Sequence, residues 1–167
     1  MKPVALLVSL GCVLGAGQVQ AVEDLSVVLH GVSIHSNCEE GKGRKHKTCD
    51  LENFNPGGAI DWGFYNSPDW GRLSLRAGAY DDSYNETAYY GGAVYMKTWD
   101  IYQGVQLGGG VQAGYLNGSG INGFAAMPML VLGYDHLSLE VGYAPKVSWA
   151  AGHRHVAVTT FALRWAF

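Results

Sequence analysis

The chain has 167 residues, enough for one domain, and carries 11 Lys and Arg against 14 Asp and Glu. This slightly acidic balance excludes a protein that binds nucleic acid through bulk positive charge. Glycine is abundant at 24 residues and aromatic residues make up 12%. Beyond residue 21, however, no segment approaches the roughly 20 uninterrupted apolar residues of a membrane helix.

The first 21 residues predict a cleavable secretory signal peptide. Met1-Lys2 is positive, residues 3–17 are apolar and small, and Val19-Gln20-Ala21 offers small residues for signal peptidase. A lipoprotein signal at Leu10-Gly11-Cys12 is the alternative. Cleavage after Ala21 removes one cation, Lys2, so the mature domain of residues 22–167 carries 10 basic against 14 acidic residues, a net charge near −4.

The mature sequence divides into segments of about ten residues in which apolar and polar residues alternate, as expected of β-strands with two different faces. The fifth segment is the clearest, because Val105, Leu107 and Val111 alternate with glycines and glutamines. The predicted strands are residues 25–35, 56–65, 72–80, 88–99, 105–116, 124–134, 137–143 and 156–167.

In the first predicted strand, the two histidines fall on opposite faces. His30 shares its face with Val28 and Val32 and is expected to point toward lipid as a structural residue, whereas His35 shares its face with Ser33. In a small membrane barrel the apolar face contacts lipid, and small or polar residues fill the lumen.

Charged residues on the polar faces can then pair inside the lumen, and Glu140 and Arg164, on neighbouring strands, are expected to do so. The chain ends in alternating aromatic and aliphatic residues up to Phe167. This ending is similar to the C-terminal signal by which the insertion machinery recognises outer-membrane barrels. Since lipid cannot satisfy an open sheet edge, the strands must close.

The predicted connections alternate in length. Residues 66–71, 100–103 and 135–136 are short, whereas residues 36–54, 81–87, 117–123 and 145–155 are longer. Short periplasmic turns and longer external loops are typical of outer-membrane barrels. We therefore expect an all-β, eight-stranded antiparallel transmembrane β-barrel, monomeric, in the bacterial outer membrane, with both termini in the periplasm.

Three residues near the external rim are candidates for chemistry. His35 ends the first predicted strand, and Asp82 and Ser83 open the second external loop. Together they suit acyl transfer, with His35 as base, Ser83 as nucleophile or alcohol-positioning group, and Asp82 as the residue that orients His35. The alternative is that Asp and Ser occupy this loop because their side chains satisfy turn backbones.

Several short motifs resemble the outer-membrane lipid A palmitoyltransferase family. Ser33-Ile34-His35 is similar to the family's Thr-Trp-His, and Asn55-Pro56-Gly57-Gly58 resembles the glycine cluster that opens its second strand. Residues 79–85, Ala-Tyr-Asp-Asp-Ser-Tyr-Asn, match its Ala-Phe-Lys-Asp-Ser-Trp-Asn. The likeness covers most of residues 33–167. It implies transfer of a palmitoyl chain from a phospholipid to lipid A, with His35, Asp82 and Ser83 as catalytic residues and no cofactor.

Two departures from the family concern the first strand and the lumen. The family's mature protein begins with an amphipathic helix, whereas the first predicted strand here starts soon after Ala21. Val94 aligns with a glycine at the bottom of the family's acyl pocket, so its side chain is expected to raise the pocket floor and select a chain shorter than palmitoyl. Gly108, Gly110 and Gly114 are expected to leave room for that chain.

A third departure is the first external loop, which is bounded by Cys38 and Cys49. An even pair of cysteines in an exported protein predicts a disulfide; a metal site with His46 is the alternative. Arg44 and Lys45 lie between them and are interpreted either as a clamp for lipopolysaccharide phosphates or as a solvated loop tip. His153-Arg154-His155 is interpreted as surface, and no metal is expected.

Two other functions remain open. With water as acceptor, the same residues would make a phospholipase or a lipid A deacylase, which free fatty acid as product would reveal. The second alternative function is that of a non-enzymatic barrel, which serves envelope integrity, adhesion or defence. It remains open because a fold alone implies no activity. Indifference to mutation at His35 and Ser83 would favour it.

Overall fold

A computed structural model describes residues 24–36, 51–145 and 156–167. These residues form eight strands, each pairing antiparallel with the next, and β8 pairs with β1 to close a barrel. The expected antiparallel eight-stranded barrel is therefore confirmed. The strands are β1 (Asp24–Ser36), β2 (Phe54–Ser67), β3 (Gly71–Asp81), β4 (Thr87–Tyr102), β5 (Val105–Gly118), β6 (Ile121–Tyr134), β7 (Leu137–Ala144) and β8 (Ala157–Ala166).

Several predictions concern residues outside the described ranges. They are the signal peptide over residues 1–21, the Cys38–Cys49 disulfide, the basic residues Arg44 and Lys45, and His153 to His155. Within the described ranges, no helix has the length and apolar character needed to cross a membrane.

The barrel is apolar outside and polar inside, as the alternation predicted. Ile60 and Leu130 are 60% and 65% exposed on the outer face, whereas Asp61 and Ser74 are fully buried inside. Exposed aromatic residues gather near both ends of the strands, which is the arrangement of the two interfacial girdles of a membrane barrel. They include Trp70, Trp99, Tyr102, Tyr134 and Trp165 at one end and Phe54, Tyr84, Tyr89, Tyr115 and Phe124 at the other.

A β-bulge in β1 places both histidines of this strand on the lumenal side. The register of β1 shifts between His30 and Val32 against both of its neighbouring strands. The extra residue resets the alternation, so that His30 lies inside the barrel while Val32 stays exposed. The prediction that His30 points toward lipid is therefore wrong. Its Nε2 lies 2.7 Å from the hydroxyl oxygen of Tyr90 on β4.

The connection between β5 and β6 is shorter than predicted. The pairing of the two strands continues to Gly118 and Ile121, so the expected long loop over residues 117–123 is a turn of two residues. Both of them, Ser119 and Gly120, have positive φ, 55° and 71°. This geometry matches the twist of the flanking strands and forms tight hairpins. The prediction of a long third external loop is wrong.

Six charged side chains form a lumenal ion network toward the end of the barrel that carries the short turns. Its members are Asp24, Asp61, Arg72, Arg76, Glu140 and Arg164. Arg76 of β3 contacts Asp61 at 2.8 Å and, across the lumen, Glu140 of β7 at 2.6 Å. Arg72 contacts Asp24 at 2.5 Å and Asp61 at 2.6 Å, and Arg164 lies 3.4 Å from Asp24.

The predicted Glu140–Arg164 pair is wrong. Arg164 lies opposite Ser138 in the β7–β8 register, whereas Glu140 lies opposite Ala162. Barrel closure instead brings Arg76 against Glu140, and both guanidinium nitrogens Nη1 and Nη2 donate to its carboxylate, at 2.6 and 3.0 Å.

Candidate functional site

The end of β1 and the loop after β3 meet at the loop end of the barrel. His35 is near the end of β1, and Ser83 follows β3 by two residues. Ser83 Oγ lies 2.8 Å from His35 Nε2, within hydrogen-bond distance. The two candidate residues, far apart in the chain, are therefore adjacent in space because β1, β2 and β3 are consecutive neighbours in the barrel.

The other ring nitrogen of His35 faces Asn53, just before β2. His35 Nδ1 lies 3.2 Å from Asn53 Oδ1. An amide oxygen only accepts hydrogen bonds, so the His35–Asn53 bond forms in the tautomer protonated at Nδ1, which leaves the lone pair of Nε2 to accept the Ser83 hydroxyl. In this tautomer the imidazole is arranged to take a proton from Ser83 or from a hydroxyl that replaces it.

The Asp82 carboxylate does not reach His35. Its Oδ1 accepts the backbone N–H groups of Tyr84 and Glu86, at 2.9 and 3.0 Å, and its Oδ2 accepts that of Ser119 at 2.6 Å. The side chain is almost fully buried. Because Ser119 belongs to the β5–β6 turn, Asp82 links the β3–β4 loop to that turn. It also shapes the β3–β4 loop, which presents Ser83.

Asn55 on β2 supports Ser83 from below. Its Nδ2 donates to the backbone oxygen of Asp81 at 3.0 Å and lies 3.5 Å from Ser83 Oγ, while its Oδ1 accepts the hydroxyl of Ser33. Sequence reasoning missed both asparagines as site residues. The available signal was their spacing of two, which directs Asn53 and Asn55 to the same face of the chain entering β2.

A cavity of about 230 Å³ lies in the lumen beneath the Ser83–His35 pair, and both residues line it. One side of its wall is apolar, with Ala125, Met127 and Phe161. The other is polar, with His30, Tyr80 and Tyr90. Its deep end includes Arg76 and Glu140, so the lumenal ion network begins where the cavity ends. A mostly apolar pocket with a few convergent polar groups is typical of a ligand site.

The residues expected to shape an acyl pocket divide into two groups. Gly114 lines the cavity; Gly108 and Gly110 are not among its lining residues in the described part of the chain. A Cβ at any of these three glycines would collide with the backbone of β4, so the close approach of β4 and β5 explains glycine at all three positions. Val94 is fully buried and packs in a cluster with Met129, which itself lines the cavity.

The described pairing of β6 with β7 ends beside the cavity. β6 begins at Ile121, but its register with β7 covers only Met129 to Tyr134 within the described residues. Pro128, at the border of the paired segment, has no backbone N–H to donate. Ala125 and Met127, which precede this paired segment, line the cavity.

In the described ranges, no cluster of three or more His, Cys, Asp or Glu side chains is arranged to hold a metal ion. The residues that contact one another in the cavity are instead donors and acceptors of protons. Two pairs in the cavity wall can share a proton: Ser83 with His35 at its mouth, and His30 with Tyr90.

Comparison with known families identifies the chain. Residues 26–159 match the model of the family described as antimicrobial peptide resistance and lipid A acylation protein PagP. No individual curated protein matches the chain. The matched range runs from β1 into β8 and includes His35, Asn53 and Ser83. Because the match spans most of the chain and the eight-stranded barrel agrees with it, this protein belongs to the PagP family of outer-membrane lipid A acylation proteins.

Proposed function

We propose that this protein transfers an acyl chain from a phospholipid to lipid A, with Ser83 and His35 as its catalytic residues. Membership of the PagP family supports lipid A acylation in general. The observation that carries the assignment of the site is the 2.8 Å contact between Ser83 Oγ and His35 Nε2 at the mouth of the lumenal cavity.

In the proposed reaction, Ser83 Oγ positions the lipid A hydroxyl beside His35 Nε2, which accepts its proton while that oxygen attacks the ester carbonyl of the phospholipid. The tetrahedral intermediate expels the glycerol oxygen, which takes the proton back from His35. One ester bond breaks and one forms, giving acylated lipid A and a lysophospholipid without a redox partner. In a two-step version, Ser83 Oγ attacks first and lipid A then takes the acyl group from Ser83.

The proposed path of the donor chain runs between β6 and β7, past the end of their described register. From there the chain packs against Met127 and Phe161, beside Gly114 on the neighbouring strand β5. We propose that the accepted chain is shorter than palmitoyl, because Val94 fills the lumen behind Met129 where the family has a glycine. Gly108 and Gly110 would act on the pocket indirectly, through the close packing of β4 and β5.

Three further features belong to the same proposal. Asp82 would assist the reaction by holding the Ser83 loop through its three backbone hydrogen bonds. Arg44 and Lys45 would bind the lipid A phosphates. Phe167 would present the C-terminal signal to the insertion machinery, and the barrel would act as a monomer because a closed sheet leaves no edge for a second copy.

The test is mass spectrometry of lipid A from an enterobacterial host that lacks its own palmitoyltransferase. The host expresses the intact protein, the His35→Ala variant, or His136→Ala. His136 is an exposed histidine of the β6–β7 turn, at the opposite end of the barrel, and serves as the matched control. The amount of each protein in the outer membrane is measured in parallel.

We expect lipid A to gain one acyl chain with the intact protein and with His136→Ala, and no gain with His35→Ala. The mass of the added chain also tests the proposed limit on its length, and efficient addition of palmitate would contradict that limit. Loss of one chain would instead indicate a deacylase. An unchanged spectrum from correctly inserted protein would favour the non-enzymatic barrel.

A further inference from the structure

The tautomer of His35 determines whether Nε2 can accept the proton of the Ser83 hydroxyl. A neutral imidazole carries one proton, and only the tautomer protonated at Nδ1 has a lone pair at Nε2 for the Ser83 hydroxyl. The group that contacts Nδ1 therefore controls how much of the histidine is in the productive form, as the third residue of a catalytic triad does.

Asn53 is the side chain found at that nitrogen. Its Oδ1 lies 3.2 Å from His35 Nδ1, and Asn53 is not among the residues that line the cavity. It therefore lies behind the histidine as seen from the substrate, where it can orient the ring without contacting an acyl chain. From this geometry we infer that Asn53 is the positioning residue of His35, an inference that rests on the proposed acyl transfer.

Backbone contacts hold Asn53 in place independently of its side chain. The backbone oxygen of Asn53 accepts the N–H of Ser33 on β1 at 2.8 Å, and the N–H of Glu52 donates to the backbone oxygen of Ser83 at 3.3 Å. Residues 52–53 thus bridge β1 and the Ser83 loop. Because these bonds involve only the main chain, truncation of the Asn53 side chain removes the contact to His35 and leaves the bridge.

Asp82, the carboxylate next to Ser83, has a different role. Both of its oxygens are occupied by backbone N–H groups, and it contacts the β5–β6 turn, away from Nδ1. A neutral amide at Nδ1 is chemically sufficient, since Cys-His-Asn sites orient their histidine in this way. Asn53 therefore orients the base His35, whereas Asp82 shapes the Ser83 loop.

The first experiment reads the tautomer directly and does not depend on activity. Nitrogen NMR of the intact barrel in detergent micelles, with the His35 signals assigned by their loss in His35→Gln, is recorded for wild type, Asn53→Ala, Asn53→Asp and Asn122→Ala. Asn122 is a matched control, because it is an asparagine at the same end of the barrel that accepts a hydrogen bond from Tyr115 and not from His35.

We expect the Nδ1-protonated tautomer in wild type, in Asn53→Asp and in Asn122→Ala, and a mixture of both tautomers in Asn53→Ala. A wild-type His35 protonated at Nε2 would overturn the inference, and so would an unchanged tautomer in Asn53→Ala. These outcomes decide the role of Asn53 even if the wild-type protein transfers no acyl chain, in which case the proposed function fails separately.

The second experiment measures acyl transfer by the same variants in mixed micelles of phospholipid and lipid A. Loss of one hydrogen bond of ordinary strength predicts a kcat roughly ten-fold lower for Asn53→Ala, with an unchanged KM because Asn53 does not line the cavity. Asn53→Asp restores the acceptor and is expected to recover most of the rate. Full activity of Asn53→Ala, or a folded Asn53→Asp as slow as Asn53→Ala, would overturn the inference.

Discussion

The lumen holds two regions with different contents, although the same alternating strands build both. At the loop end, a cavity of about 230 Å³ lies under the Ser83–His35 pair. At the turn end, the lumenal ion network crosses the barrel from β3 to β7. The side chains of the first region include a hydrogen-bonding pair at a cavity mouth, whereas those of the second are buried ions held by one another.

This difference separates function from stability. Removing one partner of a buried ion pair leaves a charge without compensation in a medium of low dielectric constant, which is strongly destabilising. Removing a half-buried hydroxyl near the rim leaves no uncompensated charge behind. We therefore expect substitutions in the ion network to change mainly the free energy of unfolding, and substitutions at the cavity mouth to change mainly the rate of acyl transfer.

The largest expected effect is that of Arg76→Met. Glu140 loses the guanidinium that donates to both of its oxygens, and the free energy of unfolding is expected to fall by about 3–5 kcal/mol. Urea unfolding of the barrel in lipid vesicles measures it. The double variant Arg76→Met/Glu140→Leu is expected to recover much of the loss, and equal losses in the two variants would show that packing, and not charge, is responsible.

Ser83→Ala is expected to act in the opposite way. It removes the hydroxyl that lies 2.8 Å from His35 Nε2, so the rate of acyl transfer should fall by roughly a hundred-fold or more. The free energy of unfolding should stay within about 0.5 kcal/mol of wild type. Lipid A mass spectrometry over time measures the rate, and a Ser83→Ala protein with wild-type rate would contradict the proposed site.

Asp82→Ala is expected to affect both properties moderately. Three backbone N–H groups lose their acceptor, and by analogy with the loss of a side-chain cap the free energy of unfolding should fall by about 0.5–2 kcal/mol. The Ser83 loop should become more mobile, which lowers the rate without changing the His35 tautomer. Hydrogen exchange of the Glu86 and Ser119 amides checks the first effect, and unchanged protection there would contradict the loop role.

Tyr90→Phe should have the smallest effect. It removes the hydroxyl that lies 2.7 Å from His30 Nε2 inside the cavity, which costs about 1 kcal/mol of stability. The rate of acyl transfer should remain close to that of wild type, because neither residue contacts Ser83 or His35 in the described structure. A loss of rate as large as that of Ser83→Ala would place the His30–Tyr90 pair in the chemistry.

The strands were predictable because the alternation of apolar and polar residues is visible in the local sequence. For β5 the pattern of Leu107 outside and Gly108 inside holds in the structure, and the pairing of β5 with β6 differs from expectation only in its extent. The bulge in β1 was not predictable in this way, since one extra residue exchanges the faces of all that follow it. That single shift places His30 and His35 on the same lumenal side, although they are five residues apart.

The candidate site was predictable only in part. His35 and Ser83 follow from their residue types, their positions at strand ends and a resemblance of short motifs, and the structure brings them into contact. Asn53 was missed because asparagine is common in loops for reasons unrelated to chemistry. The contact that distinguishes it, Oδ1 to His35 Nδ1, depends on how the chain before β2 lies against β1.

The sequence by itself determined the number of strands, the lipid-facing and lumenal sides of most of them, and the residue types available at the rim. These are local properties, because a period of two assigns each side chain to a face without reference to other strands. Only the tertiary structure decided that Arg76 pairs with Glu140 across the lumen, that His30 faces inward, and that Asn53 meets His35 while Asp82 does not. Those contacts depend on the closure of the sheet and on the register between strands, which no single segment of the chain encodes alone.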